Sequence, residues 1–311
     1  MQTSDFFDRI PTPDPEAALA VRDRLAPTGT HWGGLAVLAQ RFAAMTARTG
    51  ASSSLPQTLR AHVSLTHLAP SPLISGITSH PASELPAQLT TQPGIECTIR
   101  DHPPTAVDEV TDEVVAACLR EGETIAEGIA ADHPDVVIPA VAGPGSSTWG
   151  AILTGVATHT EPVRITGVGL GAPITDEQWN RKVALIRDGM FAAREVHTDP
   201  LAVLRTVAEF SGQPALITFA STVAHCASRS LPVLLDGPTA AAAALWADRL
   251  APGTRAYLSA ASTSHEPAEN SAYSALECTP LTELGLRGVE GTASLAVLPL
   301  VRQALLLTQV S

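Results

Sequence analysis

The sequence predicts an α/β protein with a doubly wound, mostly parallel sheet of about six strands and a smaller helical element. Three observations predict it. Short β-rich runs alternate with Ala-rich stretches of helical length, which requires crossover connections and hence parallel strands. The 311 residues are 45% hydrophobic and 16% charged but only 4% aromatic, a composition suited to close-packed helices on a sheet. Several runs also end in turns of small residues, where α/β sheets collect their ligands.

The elements follow in order. In "PTPDPEAALAVRDRLAP", Asp14 caps a helix, Pro15 opens it and Pro27 lies just past its end. A second helix follows Gly33-Gly34, with Leu35, Leu38, Phe42 and Met45 on one apolar stripe. The polar stretch "TARTGASSSLPQT" reads as a connection and a boundary. Beyond it, strands are expected at "AHVSLT", "IECTIR", "DVVIPAV", "PVRITGVG", "LPVLLDG" and "RAYLSA". Helices are expected at "TDEVVAACLREGETIAEGIAA", "TDEQWNRKVALIRDGMFAARE" and "PTAAAAALWADRL". The segment "SHPASELPAQLTTQPG" is the least regular, and there is no internal repeat.

Composition excludes several classes. A formal net charge of −12, with no Lys/Arg run, repels a phosphate backbone, so no nucleic-acid partner is expected. The four cysteines (Cys97, Cys118, Cys226 and Cys278) form no CxxC, which suggests reduced thiols rather than a zinc site or disulfide framework. The N-terminus carries acids and prolines where a signal peptide needs a basic head, and the apolar tail is broken by Pro299, Arg302 and Gln303. A soluble, cytoplasmic protein with no membrane partner is expected. The ten histidines show no HxxxH spacing, so no metal is expected, and His225 reads as a packed or surface residue. Neither GxSxG nor a dinucleotide fingerprint is present.

The candidate chemistry sits in the turns. In "VVIPAVAGPGSSTWGAIL", Gly143 and Gly145 let backbone N–H groups approach an anion, and Ser146, Ser147 and Thr148 add hydroxyls at a helix start. No GK[ST] follows, so this is not a P-loop, and a structural turn is the plainer reading. Gly167, Gly169 and Gly171 make a second such turn. Asp236 in "VLLDGPTA" reads equally as a turn or capping acid. In "LGLRGVEGTASLAVLPL", Glu290 is a lone acid among small and apolar residues. It reads either as a helix-initiating acid or as a proton acceptor kept where water is scarce.

Taken together, "VLLDGP", "SHEPAE" and "LGLRGVEGTASLAVLPL" resemble the ordered motifs "VLLDGF", "SxEPGH" and "LxLRLGEGTGAxLALPLL" of the nicotinate-nucleotide:dimethylbenzimidazole phosphoribosyltransferases of cobalamin assembly. Further back, "GVGLGAPITDEQWNRKVALI" resembles "GRGTGxDDxGLxRKxAVI", and "VAGPGSSTWGAILTGV" resembles "GEMGIGNTTxAAALxxALTG". "PTGTHWGGLAVLA" is similar to "KPPGSLGRLExLA" at the other end. The resemblance implies transfer of ribose 5-phosphate from nicotinate mononucleotide to a benzimidazole-type base, without a cofactor. It makes Glu290 the general base and places Gly143, Gly145, Ser146, Ser147, Thr148, Lys182, Ser264, Gly291 and Thr292 around the phosphate and ribose, with Leu286 and Gly288 beside the base. It also implies a small helical domain built from residues 1–55 and 291–311 around a Rossmann-like domain of residues 56–290, and a homodimer. Val141 stands where the family pattern has Glu, and Glu269 where it has His. Thr66-His67-Leu68-Ala69 is the nearest match to the family's "DHGV", and this loss with that at Val141 carries the alternative expectation of a non-catalytic relative that binds a nucleotide or a base.

Overall fold

A computed structural model describes residues 5–28, 31–47, 58–77, 84–104, 107, 109–169 and 174–308. The connection expected at 46–58 lies mostly outside the described residues, as do part of the irregular segment at 79–94 and Gly171. In chain order the elements are α1 (Pro15–Leu25), α2 (Gly33–Thr46), β1 (Leu59–His67), α3 (Ala87–Thr90), β2 (Ile95–His102), α4 (Asp112–Ala131), β3 (Val136–Ala142) and α5 (Ser146–Thr158). They continue with α6 (Pro162–Ile165), α7 (Asp176–Ala192), α8 (Pro200–Ser211), α9 (Ala215–Ser228), β4 (Val233–Leu235), α10 (Pro238–Leu250), β5 (Leu258–Ala260), α11 (Pro267–Ala275) and α12 (Thr292–Leu307).

Local chemistry sets the helix starts. Asp14 accepts from Glu16 N with Pro15 in the first helical position of α1, and Thr111 caps α4. At α7, Thr175 and Gln178 form a reciprocal capping box. Pro299 interrupts α12 without ending it. Its ring nitrogen cannot bond the carbonyl of Leu295, and the Gln92 side chain takes that carbonyl at 2.9 Å instead.

The sheet has five strands in the order β2-β1-β3-β4-β5, and every pair is parallel. The expected strand at "PVRITGVG" is not one. Pro162 starts the short helix α6, with Thr166 N and Oγ1 both returned to its carbonyl. A proline at that position presets a helical φ and offers no ladder donor.

Alternation along the strands divides the apolar residues between two faces. Val137, Val141, Val233, Leu235, Leu258 and Ala260 join a core with α4, α5 and α7–α11. Ala61, Val63, Leu65, Val136, Ile138 and Leu234 join another with α1, α2 and α12. Helices therefore cover both faces, as the doubly wound reading expects. One layer comes from the middle of the chain and the other from its two ends.

Candidate active site

At the carboxyl ends of β3, β4 and β5 the chain turns into α5, α10 and α11, so three loops converge. Glu290 reaches this convergence from the segment before α12. Its main chain pairs with Val141 at the end of β3, N to O at 3.2 and 3.3 Å in the two directions. The side chain is 2% exposed. Its Oε2 accepts Thr239 N at 2.8 Å and Ala240 N at 2.9 Å, the free donors of the first turn of α10. Oε1 has no hydrogen-bond partner among the described residues. Burial pushes the carboxyl up to about 8, against the pull of Thr239 and Ala240 and with help from the Asp236 charge.

Glu290 is thus a capping acid, but not of its own helix. The N-terminus of α12 is capped by Asp236, whose Oδ2 accepts Gly291 N at 2.9 Å, Ala293 N at 2.6 Å and Ser294 N at 3.4 Å. Burial, then the charge of Glu269, raises Asp236 to about 7. Each acid precedes one helix and caps the other. The crossing demands glycine at 237. There φ is +96°, and an added Cβ would stand 2.4 Å from Glu290 Cγ.

Beside Glu290 is a narrow crevice of about 10 Å³ shared by Asp236, Ser264, Leu286, Gly288 and Thr292, roughly enough for one water. Thr292 donates to Val289 O at 2.7 Å, which closes the turn. Ser264 donates through both N and Oγ to Glu269 Oε2 at 2.6 Å, while Glu269 Oε1 accepts Gly237 N at 2.8 Å. Glu269 therefore ties the β4 turn to the β5 turn and occupies the hydroxyl of Ser264.

A second cluster adjoins the first through Thr239, whose Oγ1 donates to Ser146 O at 2.7 Å. Lys182, 1% exposed, donates from α7 to Ser147 Oγ at 3.1 Å and Gly167 O at 3.2 Å. Its ammonium lies 3.8 Å from Glu266 Oε2. Burial lowers the lysine pKa, and Glu266 opposes the shift. Glu266 also accepts Gly169 N at 2.9 Å. Because Ser147 Oγ accepts from the lysine, it keeps its own hydrogen for an outside acceptor. Gly145 has φ +80° and precedes the first residue of α5. Thr148 Oγ1, buried, has no partner among the described residues. Gly143 instead packs against Leu68.

The structure thus gathers Gly145, Ser146, Ser147 and Lys182 in one cluster, and Ser264, Leu286, Gly288, Glu290 and Thr292 in the neighbouring one. Gly291 joins the second through its bond to Asp236. Sequence reasoning gave Glu266 and Glu269 no role and read Asp236 as a local turn or cap. The available signal was that all three are acids in small-residue or apolar surroundings near strand ends. Chemically, the site offers a carboxylate oxygen free to take a proton beside a helix start, a hydroxyl and a buried lysine suited to an anion.

The family model described as Phosphoribosyltransferase (DBI_PRT) matches residues 103–310. The nicotinate-nucleotide--dimethylbenzimidazole phosphoribosyltransferase of Corynebacterium glutamicum (strain ATCC 13032) is 42% identical over 197 residues, 63% of this chain and 53% of that protein. Its namesake from Mycobacterium ulcerans is 39% identical over the same shares. The chain spans about half the length of these relatives. Among solved structures, CobT from Thermus thermophilus superposes with a TM-score of 0.78 at 22% identity, over 94% of this chain and 96% of that one. A nicotinate-nucleotide-dimethylbenzimidazole phosphoribosyltransferase structure from the same organism gives 0.72 at 23% identity, over 96% and 97%. These structures show a shared fold, and with the family model matching well over half of its residues, the chain belongs to the phosphoribosyltransferase family.

Proposed function

We propose that this protein transfers ribose 5-phosphate from nicotinate mononucleotide to a benzimidazole-type base, with Glu290 as general base. The observation that carries the reading is the unpartnered Glu290 Oε1, buried beside a crevice while Oε2 is held by Thr239 and Ala240. In this reaction an azole nitrogen attacks the anomeric carbon as the bond to the pyridinium nitrogen breaks. Nicotinate leaves with that electron pair and needs no acid. The azole N–H proton passes to Glu290 Oε1. Ser147, Lys182 and the first turn of α5 hold the phosphate, and the turn Gly291-Thr292 keeps the base in place.

A crevice of about 10 Å³ is too small for a ring, so the segment 284–289 moves on binding. It has the exposed side chains to do so, Leu284 at 47% and Leu286 at 38%. Between its ends, fixed by Leu284 N to Ser262 Oγ at 2.8 Å, Gly285 N to Thr263 O at 3.1 Å and the Thr292 bonds to Val289 O, Arg287 adds Nε to Ser264 O at 3.3 Å. A cytoplasmic homodimer is the setting this reading carries, and sedimentation at micromolar concentration tests the dimer.

The test is to mix the protein with nicotinate mononucleotide and a set of benzimidazoles and follow nicotinate release. Release that depends on the azole supports transfer, and silence with every acceptor removes it. One observation favours a second reading. Ser264 is committed to Glu269, which stands at the family's His position, and the crevice has room for only about 10 Å³. That combination suits a relative that binds a nucleotide without turnover, and calorimetry showing mononucleotide binding with no nicotinate release selects it.

A further inference from the structure

A roomier cavity lies elsewhere. It is a hollow of about 600 Å³ between α2, the outer edge of β5 and the flank of α12, within the range of small-molecule sites. Trp32, Leu35, Leu38, Leu281 and Leu300 form its walls. Leu300 is 40% exposed and Val37 at the rim is 59% exposed, so apolar surface is left facing solvent.

Two polar atoms at its floor, Arg41 Nε and Ser259 Oγ, have no hydrogen-bond partner among the described residues. Leu258 and Ala260 turn toward the core of the middle helices, so Ser259 points the opposite way, toward α2. It is only 7% exposed, and its Oγ has no hydrogen-bond partner among the described residues. Arg41 on α2 donates one guanidinium nitrogen to Leu258 O, the residue before that serine. Its Nε is buried without a partner, and it makes no ion pair among the described residues. Glu277 also lines the hollow, but its side chain is 83% exposed and turned to Arg255 at 3.8 Å. Cys278 is buried, and burial holds its thiol above the usual range, so it supplies no anion. The floor is therefore cationic, and two buried polar atoms there lack partners, an arrangement that costs stability unless something fills it.

We propose that this hollow binds a small ring-bearing monocarboxylate. Its carboxylate meets Arg41 and the Ser259 hydroxyl, and its ring lies against Trp32, Leu35 and Leu300. The site is separate from Glu290 and stands whether or not transfer occurs.

Calorimetry on the full chain with 1-naphthoate and its neutral counterpart 1-naphthamide tests it. The acid is expected to bind once per chain, and the amide at least tenfold more weakly. Arg41→Met should weaken the acid at least tenfold and erase the preference, while Arg41→Lys, which keeps the charge, retains most of it. Leu35→Trp should block both ligands, and Glu290→Gln should change neither. The proposal is overturned by no binding at millimolar naphthoate, by equal affinity for acid and amide, or by binding that Glu290→Gln abolishes and Arg41→Met spares. It is equally overturned if sedimentation shows a dimer that Leu35→Trp splits, because the hollow is then covered by a second copy.

Discussion

Replacing Glu290 by Gln separates charge from shape. The Gln carbonyl can take the place of Oε2 beneath Thr239 N and Ala240 N, and its amide then fills the position of the unpartnered oxygen. Packing is preserved while the proton acceptor is lost, so nicotinate release should fall on the order of 10²–10⁴-fold. The pH profile is more telling. With its carboxyl at about 8 in the empty protein, only about 1% of Glu290 is ionised two units lower. Wild-type kcat/KM should therefore rise roughly 100-fold from pH 6 and level off above 8, whereas the Gln profile lacks that limb. Stability carries the opposite sign. A carboxyl raised by folding binds its proton more tightly in the folded state, so its contribution is complete below the unfolded value near 4.5 and is lost as pH rises through about 8. From pH 6.5 to 8 the loss is at most about 2 kcal/mol, at ~1.4 kcal/mol per proton per pH unit. Urea unfolding at both pH values should show the Gln variant spared most of it. A Gln variant within threefold of wild-type turnover, or one that keeps the alkaline rise, refutes the assignment.

Other substitutions probe the same geometry. Gly237→Ala places a methyl against Glu290 in a left-handed backbone position, and should cost roughly 2 kcal/mol or more in urea unfolding while lowering kcat. Asp236→Asn removes a neighbouring charge that holds the Glu290 carboxyl up. Its kcat/KM limb should move to lower pH, with about 1 kcal/mol lost from the weakened cap of α12. Lys182→Met leaves Glu266 buried without its cation and should cost roughly 3–5 kcal/mol. Adding Glu266→Gln should restore much of that stability but not the KM for nicotinate mononucleotide, which distinguishes a phosphate contact from a structural one.

Much of this was legible because it is local. Asp14, Pro15 and the Thr175–Gln178 pair mark helix starts through bonds that span three residues or fewer, and the strands at 61–66 and 135–141 announce themselves by β-branched, apolar runs. The "PVRITGVG" run misled because its composition is that of a strand, while Pro162 decides its backbone. The site was harder to read because its bonds are long-range. Glu290 lies next to α12 in sequence but meets Thr239, 51 residues away. Asp236 precedes α10 but meets Ala293, 57 residues away. No periodicity reveals such an exchange. Glu269, bound to Gly237 and Ser264, looked like a mere departure from a motif, although its carboxylate joins two turns of the site.

The exchange of caps bears on how a base so placed could work. A carboxylate at a helix N-terminus gains up to about 2 kcal/mol from the dipole and its amides, or roughly 1.5 units downward. Complete burial can push it up by 3–5 units, and here burial wins, leaving Glu290 near 8 and mostly neutral at pH 7. An empty site therefore avoids a full charge on Glu290 beside Asp236, whose own carboxyl is raised to about 7. A cationic pyridinium changes the balance. At about 5 Å and an effective dielectric near 20 it favours the anion by roughly 3 kcal/mol, which is about 2 units. On the proposed transfer, the acid would ionise once the leaving ring is in place, with Oε2 already anchored and Oε1 free for the incoming azole. The kcat limb, which reports the bound state, should accordingly lie about 2 units below the kcat/KM limb, which reports the free protein. Coincident limbs would mean that the cationic ring never approaches Glu290, and the reciprocal caps would then be scaffolding alone.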